Sequence, residues 1–409
     1  MTPSGRAEVV VTGAGVVTPA GNDVEAVWQA VLAGRSTARV IDRFDPVDHP
    51  VRIGCQVDAP PAPPGVAEKL YRRLDPFARY GLAAALDAHA DAGSPAVDPA
   101  RTAVVVGNAV GGRTTSDTES LRFGQGGPAA VSPLMPVVTM PNAAAVAISI
   151  ALGTTGPALT LATTCASGAD AIGTATAMLR AGTVDLVVAG GCEATLTPVT
   201  LAAFARLGAL STRDGDPALA CRPFDESRDG FVMGEGAAFV VLEREADARA
   251  RGARSHGSVL GYAAGADAHH LSMPHPRGDG AYSVMSAALR DADIAPADVR
   301  HVNAHGTSTL LNDAVESRAV HRVFGDDAPP VTAPKGVTGH LLGASGALEV
   351  VLALLTARRG LVPPVANHDR TGSDIPVDVV SGAPRPVDPG PALTSSFGFG
   401  GHNACLVVA

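Results

Sequence analysis

The sequence predicts an α/β protein made of two similar halves, and three observations carry that prediction. Residues 165–182 align without a gap on residues 343–360, with identities at Ala166/Ala344, Ser167/Ser345, Gly168/Gly346, Ala169/Ala347, Ala175/Ala353, Arg180/Arg358 and Gly182/Gly360. A self-match at one fixed offset is the mark of a duplicated unit. Strand-like and helix-like segments alternate along the chain, which gives sheets covered by helices. The 409 residues include 46 Gly, with 46% hydrophobic but only 4% aromatic residues, so the core is built from small side chains with backbones close together.

Taken in order, the strand candidates are short apolar runs at 9–12, 102–106, 158–163, 184–189, 237–242, 302–304 and 404–408. Helix candidates fall at 24–33, 76–92, 281–292 and 314–323. Each repeat copy reads as a loop feeding a helix with an Ala and Gly face, stopped by a glycine at its C-cap. The Pro-rich stretches 59–65 and 384–391 are loops, and no segment reads as a flexible linker. The two halves, residues 1–250 and 251–409, are therefore expected to form one body.

Charge and cysteine content exclude several classes. Net charge is −9, without a long basic run, so general nucleic-acid binding lacks its electrostatic footprint. No apolar run is long enough for a membrane span and no signal-peptide pattern opens the chain, so a cytoplasmic protein with reduced thiols is expected. Cys55, Cys165, Cys192, Cys221 and Cys405 form no Cys-x-x-Cys pair, which speaks against structural zinc. Among 31 basic residues only Lys69 and Lys335 are lysines. A lysine kept in a chain that otherwise writes arginine invites a chemical reason.

Cys165 stands out among the thiols. It follows a strand and precedes Ala166-Ser167-Gly168 at the start of a helix, where free backbone N–H groups and the helix dipole favour a thiolate and bind an oxyanion. A buried core thiol fits the same position, and local sequence leaves both readings open. Most of the 12 His fall on surface loops, among them His269, His270 and His275. His305 differs, following a short strand in Asn303-Ala-His-Gly-Thr-Ser-Thr. His340 also differs, lying three residues before the second repeat copy, where duplication brings its loop to the mate of the Cys165 loop. Other chemistries drop out. Thr12-Gly-Ala-Gly-Val-Val-Thr18 lacks the third glycine of a dinucleotide fingerprint, and neither a phosphate loop nor Gly-x-Ser-x-Gly occurs.

At these residues the chain resembles the elongating β-ketoacyl-[acyl carrier protein] synthases among the thiolase-like condensing enzymes. The matching motifs are Thr164-Cys165-Ala-Ser-Gly, Asn303-Ala-His305-Gly-Thr307-Ser-Thr309 with Asn312, Asp313 and Glu316, Lys335-x-x-Thr-Gly-His340-x-x-Gly-Ala, and Ser396-Phe-Gly-Phe399-Gly-Gly. Arg222-Pro-Phe-Asp225 and the run from Arg228 to Gly236 add to them, so the set spans nearly the whole chain in the family's order. The resemblance implies a thiolase fold, with duplicated α/β halves in five layers (αβαβα), dimerised through the strand beside the nucleophile.

It also implies an activity: Cys165 takes an acyl chain from an acyl carrier protein, and malonyl carrier protein loses carbon dioxide and attacks it. In that scheme His305 and His340 stabilise the enolate, and the backbone N–H groups of Cys165 and Phe399 hold the acyl oxyanion, with Phe399 as a moving gate. Lys335 and Glu349 position the histidines. Thr307, Thr309 and Ser272 contact the pantetheine arm, Val110 and Phe204 line the acyl pocket, and Lys69, Arg72, Arg73 and Arg206 dock the carrier protein. Neither a metal nor a cofactor is implied, since substrates ride on the carrier's phosphopantetheine. The expected partners are the carrier protein and either a second copy or a chain-length-factor-like subunit. A non-catalytic chain-length factor is the alternative reading, and Cys165 argues against it, because such chains lack the nucleophile.

Overall fold

In the computed structural model, which describes residues 6–409, ten strands form one continuous sheet. The first half supplies β1 (Val9–Val17), β2 (Thr102–Gly107), β3 (Ala158–Leu161), β4 (Leu186–Glu193) and β5 (Gly236–Arg244). The second supplies β6 (Gly257–Ala266), β7 (His301–Asn303), β8 (Val331–Thr332), β9 (Ala392–Gly398) and β10 (His402–Val408). Their spatial order is β3-β2-β4-β5-β1-β6-β10-β9-β7-β8. Read from either end, the order is the same sequence of roles, each strand of the first half mirrored by the strand five places later in the second. The halves meet where β1 and β6 run antiparallel through Val9, Val10 and Val11.

Six helices complete the duplication: α1 (Pro76–Asp91), α2 (Ala143–Leu152) and α3 (Ser167–Arg180), then α4 (Asp279–Ala292), α5 (Leu310–Phe324) and α6 (Ser345–Arg359). Side chains alternate along each strand between two buried faces, as strand geometry requires. In β5, Ala238, Val240 and Leu242 join a cluster with α3 and α6, whereas Ala237, Phe239 and Val241 join a cluster with α1 and α2. In β10, Leu406 and Val408 face α3 and α6, while Cys405 and Val407 face α4 and α5. The layers are thus helix, sheet, helix, sheet, helix.

The central position of α6 is written in its sequence. Every residue from Ser345 to Ala357 is buried, and only Arg358 and Arg359 reach solvent. A helix apolar all round belongs inside, whereas α4 buries Ala281, Val284, Met285, Ala288 and Leu289 on a single face and lies outside. The middle helices approach at glycines: a Cβ on Gly168 would lie 2.8 Å from the Gly343 carbonyl, and one on Gly346 would lie 2.9 Å from the Ala169 nitrogen. Both helices end at left-handed glycines, Gly182 (φ 67°) and Gly360 (φ 63°), as the repeat predicts.

The two ends of the sheet differ. Beyond β8, residues 378–380 continue the hydrogen bonding, with Val331 N donating to the Asp378 carbonyl (2.8 Å) and Val380 N to the Val331 carbonyl (2.9 Å). β3 has a neighbouring strand on one side only; Leu159 on it and Val146 and Ile150 of α2, which packs on β3, stand exposed, as do Leu121, Phe123, Val137 and Met140 elsewhere in the first half. Two histidines depart from the surface placement expected for most of them: His301 is buried in β7, where burial pushes it down to about 3, and His368 is buried as well. Among the described residues no helix is long and apolar enough to cross a membrane.

Candidate active site

Cys165 sits in a strained turn between β3 and α3. Thr164 adopts φ 53°, a region costly for a β-branched residue, and the turn is held by Ser167, whose Oγ accepts from Thr163 N (2.9 Å) and donates to the Thr164 carbonyl (2.7 Å). The second half brings up the end of β9. Thr164 Oγ1 donates to the Phe399 carbonyl (3.0 Å), which brings the Phe399 backbone N–H near the Cys165 sulfur, where it favours the charged form. Gly398 permits this approach, because a Cβ there would lie 2.0 Å from Thr164 Oγ1. Cys165 is 3% exposed, and burial pushes its thiol up to about 12, against the opposing pull of the Lys335 ammonium and the Phe399 N–H. The resting sulfur is therefore a thiol, not the thiolate that its place before a helix suggests from sequence: desolvation outweighs the helix dipole here.

Both singled-out histidines converge on that sulfur. His305 follows β7, and its turn is fixed by Glu316, which accepts from His305 N (2.7 Å), Gly306 N (2.8 Å) and Ser395 Oγ (2.8 Å). Lys335 Nζ lies 3.3 Å from His305 Nδ1, donates to the His305 carbonyl (2.5 Å) and pairs with the Glu349 carboxylate of α6. His340 is anchored by backbone bonds to Val232 and from Gly234, and its Nδ1 lies 3.0 Å from Ser345 Oγ. The two rings meet edge to face at 5.2 Å. Cys165, His305 and His340 each offer an atom within 4.8 Å of the others.

Electrostatics keep both rings neutral. Burial, reinforced by the Lys335 charge, pushes His305 and His340 well below the ordinary histidine range. Burial also pushes the Glu349 carboxyl up to about 7, with Lys335 pulling the other way. The trio has the donor chemistry of a soft-metal site, but the Lys335 ammonium beside it opposes a second cation. Neutral N–H donors facing one point suit a developing oxyanion instead.

A cavity of about 480 Å³ leads to the trio, lined by Thr307, Thr309, Ser272 and Phe399. Thr309 has a second task, since its Oγ1 accepts from Asn312 N and caps α5. Phe204 lies behind the lining, stacked on Phe399 at 6.1 Å. Val110, 42% exposed, does not line the cavity. Arg206 is exposed beside Leu207 and Gly208 at the mouth; Lys69, Arg72 and Arg73 are exposed on and after the short helix Glu68–Tyr71, with Arg72 paired to Glu68.

Sequence reasoning missed two residues here. One is Ser345, read only as part of the repeat. The other is Glu193, fully buried at the end of β4, which accepts from Ala109 N (2.8 Å), Gly343 N (3.2 Å) and Asn108 Nδ2 (3.3 Å), and whose carboxyl burial pushes up to about 8. A lone acidic residue in an apolar run was its only signal.

The family described as "Beta-ketoacyl synthase, N-terminal domain" matches residues 6–248, and "Beta-ketoacyl synthase, C-terminal domain" matches residues 256–369. The chain is 39% identical over 413 residues to a 3-oxoacyl-[acyl-carrier-protein] synthase 2 of Rhizobium meliloti (strain 1021), covering 98% of each. Among solved structures it is similar to the ishigamide ketosynthase/chain length factor (TM-score 0.91, 34% identity, 99% of both chains). It is also similar to a type II PKS ketosynthase solved with its acyl-carrier protein and bound to the hexaketide (TM-score 0.91, 29% identity, 98% of this chain and 99% of that one).

Proposed function

The chain belongs to the β-ketoacyl synthase family, and on that premise we propose how its residues divide the work of decarboxylative condensation. The enzyme is an acyltransferase of the thiolase fold that joins an acyl chain to malonyl-[acyl carrier protein], giving 3-oxoacyl-[acyl carrier protein] in fatty-acid or polyketide synthesis. The observation that carries the residue roles is the convergence of one thiol and two neutral imidazoles within 4.8 Å.

In the first step the Cys165 sulfur attacks the acyl thioester. A new S–C bond forms, the bond to the pantetheine sulfur breaks, and the thiol proton passes to that departing sulfur. The N–H groups of Cys165 and Phe399 hold the oxyanion of the tetrahedral intermediate. In the second step the malonyl C–C bond breaks and carbon dioxide leaves, placing negative charge on the thioester oxygen, which receives hydrogen bonds from His305 and His340. The enolate carbon then attacks the acyl–Cys165 carbonyl, and the released sulfur takes up one proton. Lys335, held by Glu349, fixes His305. The substrates bring their own carrier arm, and no step in this scheme calls on a metal or cofactor.

The pantetheine arm would run along Thr307, Thr309 and Ser272, with the carrier protein on Lys69, Arg72, Arg73 and Arg206. Lys69, Arg73 and Arg206 have no ion-pair partner among the described residues, which leaves them available to an acidic partner. Phe204, stacked on Phe399, would shape the acyl pocket, whereas Val110 stands outside the cavity. The apolar surface beside β3 would pair with a second subunit, either another copy or a chain-length-factor-like chain, and copurification decides between them. The cytoplasm is the compartment in which these substrates and reduced thiols occur together.

Incubation with acyl and malonyl carrier proteins, followed by intact-mass analysis, tests the assignment. The expected result is one acyl group on Cys165 and release of a 3-oxoacyl carrier protein. A chain that gives neither adduct nor product is a non-catalytic subunit.

A further inference from the structure

The two repeat copies reuse one serine differently. In the first, Ser167 Oγ accepts from Thr163 N (2.9 Å) and spends its proton on the Thr164 carbonyl (2.7 Å). In the second, Ser345 Oγ accepts from Leu341 N at the same 2.9 Å, 178 positions later, but makes no bond to the Leu342 carbonyl that corresponds to Thr164. A hydroxyl has one proton to give, and among the described residues its one partner able to accept is His340 Nδ1 at 3.0 Å.

We propose that Ser345 is a positioning residue that donates its hydroxyl proton to His340 Nδ1 and thereby holds the ring proton on Nε2. The Leu341 N–H turns the hydroxyl by occupying one lone pair, and the buried ring offers the remaining acceptor. The imidazole is neutral, so its single N–H must lie on one nitrogen or the other. With Nδ1 occupied by a donor, Nε2–H becomes the group available to the cavity. Lys335 does the same for His305, its Nζ lying 3.3 Å from Nδ1. The two enolate donors are thus set by two unlike devices, an ammonium for one ring and a hydroxyl inherited from the repeat for the other. This inference rests on the reading of His340 as an enolate donor.

The test reads the tautomer directly and the chemistry separately. Full-length enzyme carrying ring-¹⁵N histidine is measured by NMR at pH 7.5, with the His340 signals assigned by their loss in His340→Ala. The wild type is expected to show a protonated Nε2 and a bare Nδ1. Ser345→Ala should shift the ring toward the Nδ1–H form and slow malonyl carrier-protein decarboxylation about tenfold in kcat, with KM unchanged and acylation of Cys165 by a small thioester within about twofold. Ser345→Thr, which keeps the hydroxyl, should restore the Nε2–H form and the rate. A wild-type ring protonated on Nδ1 overturns the proposal whatever the variants do, and so does an unmoved tautomer in Ser345→Ala. A shifted tautomer with unchanged decarboxylation upholds Ser345 and overturns the enolate role of His340.

Discussion

The turn at Cys165 and the turn at Gly343 share a backbone and divide the chemistry. Both precede a central helix, both place a non-glycine residue at positive φ (Thr164 at 53°, Leu342 at 46°), and both fold around a serine that accepts from the backbone four residues earlier. Their tips differ. Cys165 faces the Phe399 N–H and the cavity, whereas Gly343 is walled in by Ala109 and Glu193. Duplication thus supplied two equivalent turns, and the second, with no space for a side chain at its tip, carries its reactive group three residues earlier, at His340. A pseudo-symmetric scaffold yields an asymmetric site when one tip is blocked.

The largest test of this division separates the two partial reactions. Cys165→Ala should abolish acyl transfer, a loss above about 10³-fold, while malonyl decarboxylation stays within a few fold. His340→Ala should reverse the pattern, slowing decarboxylation about 10²–10³-fold, the usual cost of one oxyanion donor, with acylation much less affected. Carbon dioxide release and intact-mass acylation measure the two steps, and equal loss of both in each variant would break the comparison.

Installing a thiol in the second turn comes next. A Cβ at Gly343 would lie 2.7 Å from both Ala109 N and Glu193 Oε2. Gly343→Cys should therefore destabilise the fold by about 1–3 kcal/mol in urea denaturation and create no second acylation site. A stable variant acylated at position 343 would show that the tip was free.

A further test concerns the carboxyl that blocks the tip. Glu193 is raised from 4.5 to about 8, so the folded chain holds its proton where the unfolded chain has lost it. Stability from this group is full below about pH 4.5 and falls as pH rises toward 8, by at most about 1.4 kcal/mol per pH unit. Glu193→Gln should flatten the pH dependence of urea unfolding between pH 6 and 8. A variant as pH-sensitive as the wild type would place the titration elsewhere.

Much of this was legible in sequence because it is local. The fixed offset gave the halves, and the turns around Cys165, His305, Lys335 and His340 announce themselves through small residues at short spacing. What was illegible depends on distant neighbours. β6 and β9 escape a hydrophobic pattern because Gly261 and Gly265 leave space for α4, and because Thr394, Ser395 and Ser396 place hydroxyls in a buried strand. The protonation of Cys165 follows from desolvation by both halves, which one loop cannot report. Ser345 reads like its mate Ser167, and only the position of the His340 ring reveals the different use of its proton.

The unequal ends of the sheet set a limit on assembly. Among the described residues the ten-stranded sheet is continued beyond β8 by residues 378–380, and β3 is its one edge strand without a second neighbour. The proposed pairing through β3 would satisfy both molecules at once and terminate, leaving the far edge protected against the head-to-tail growth that turns sheet proteins into fibres.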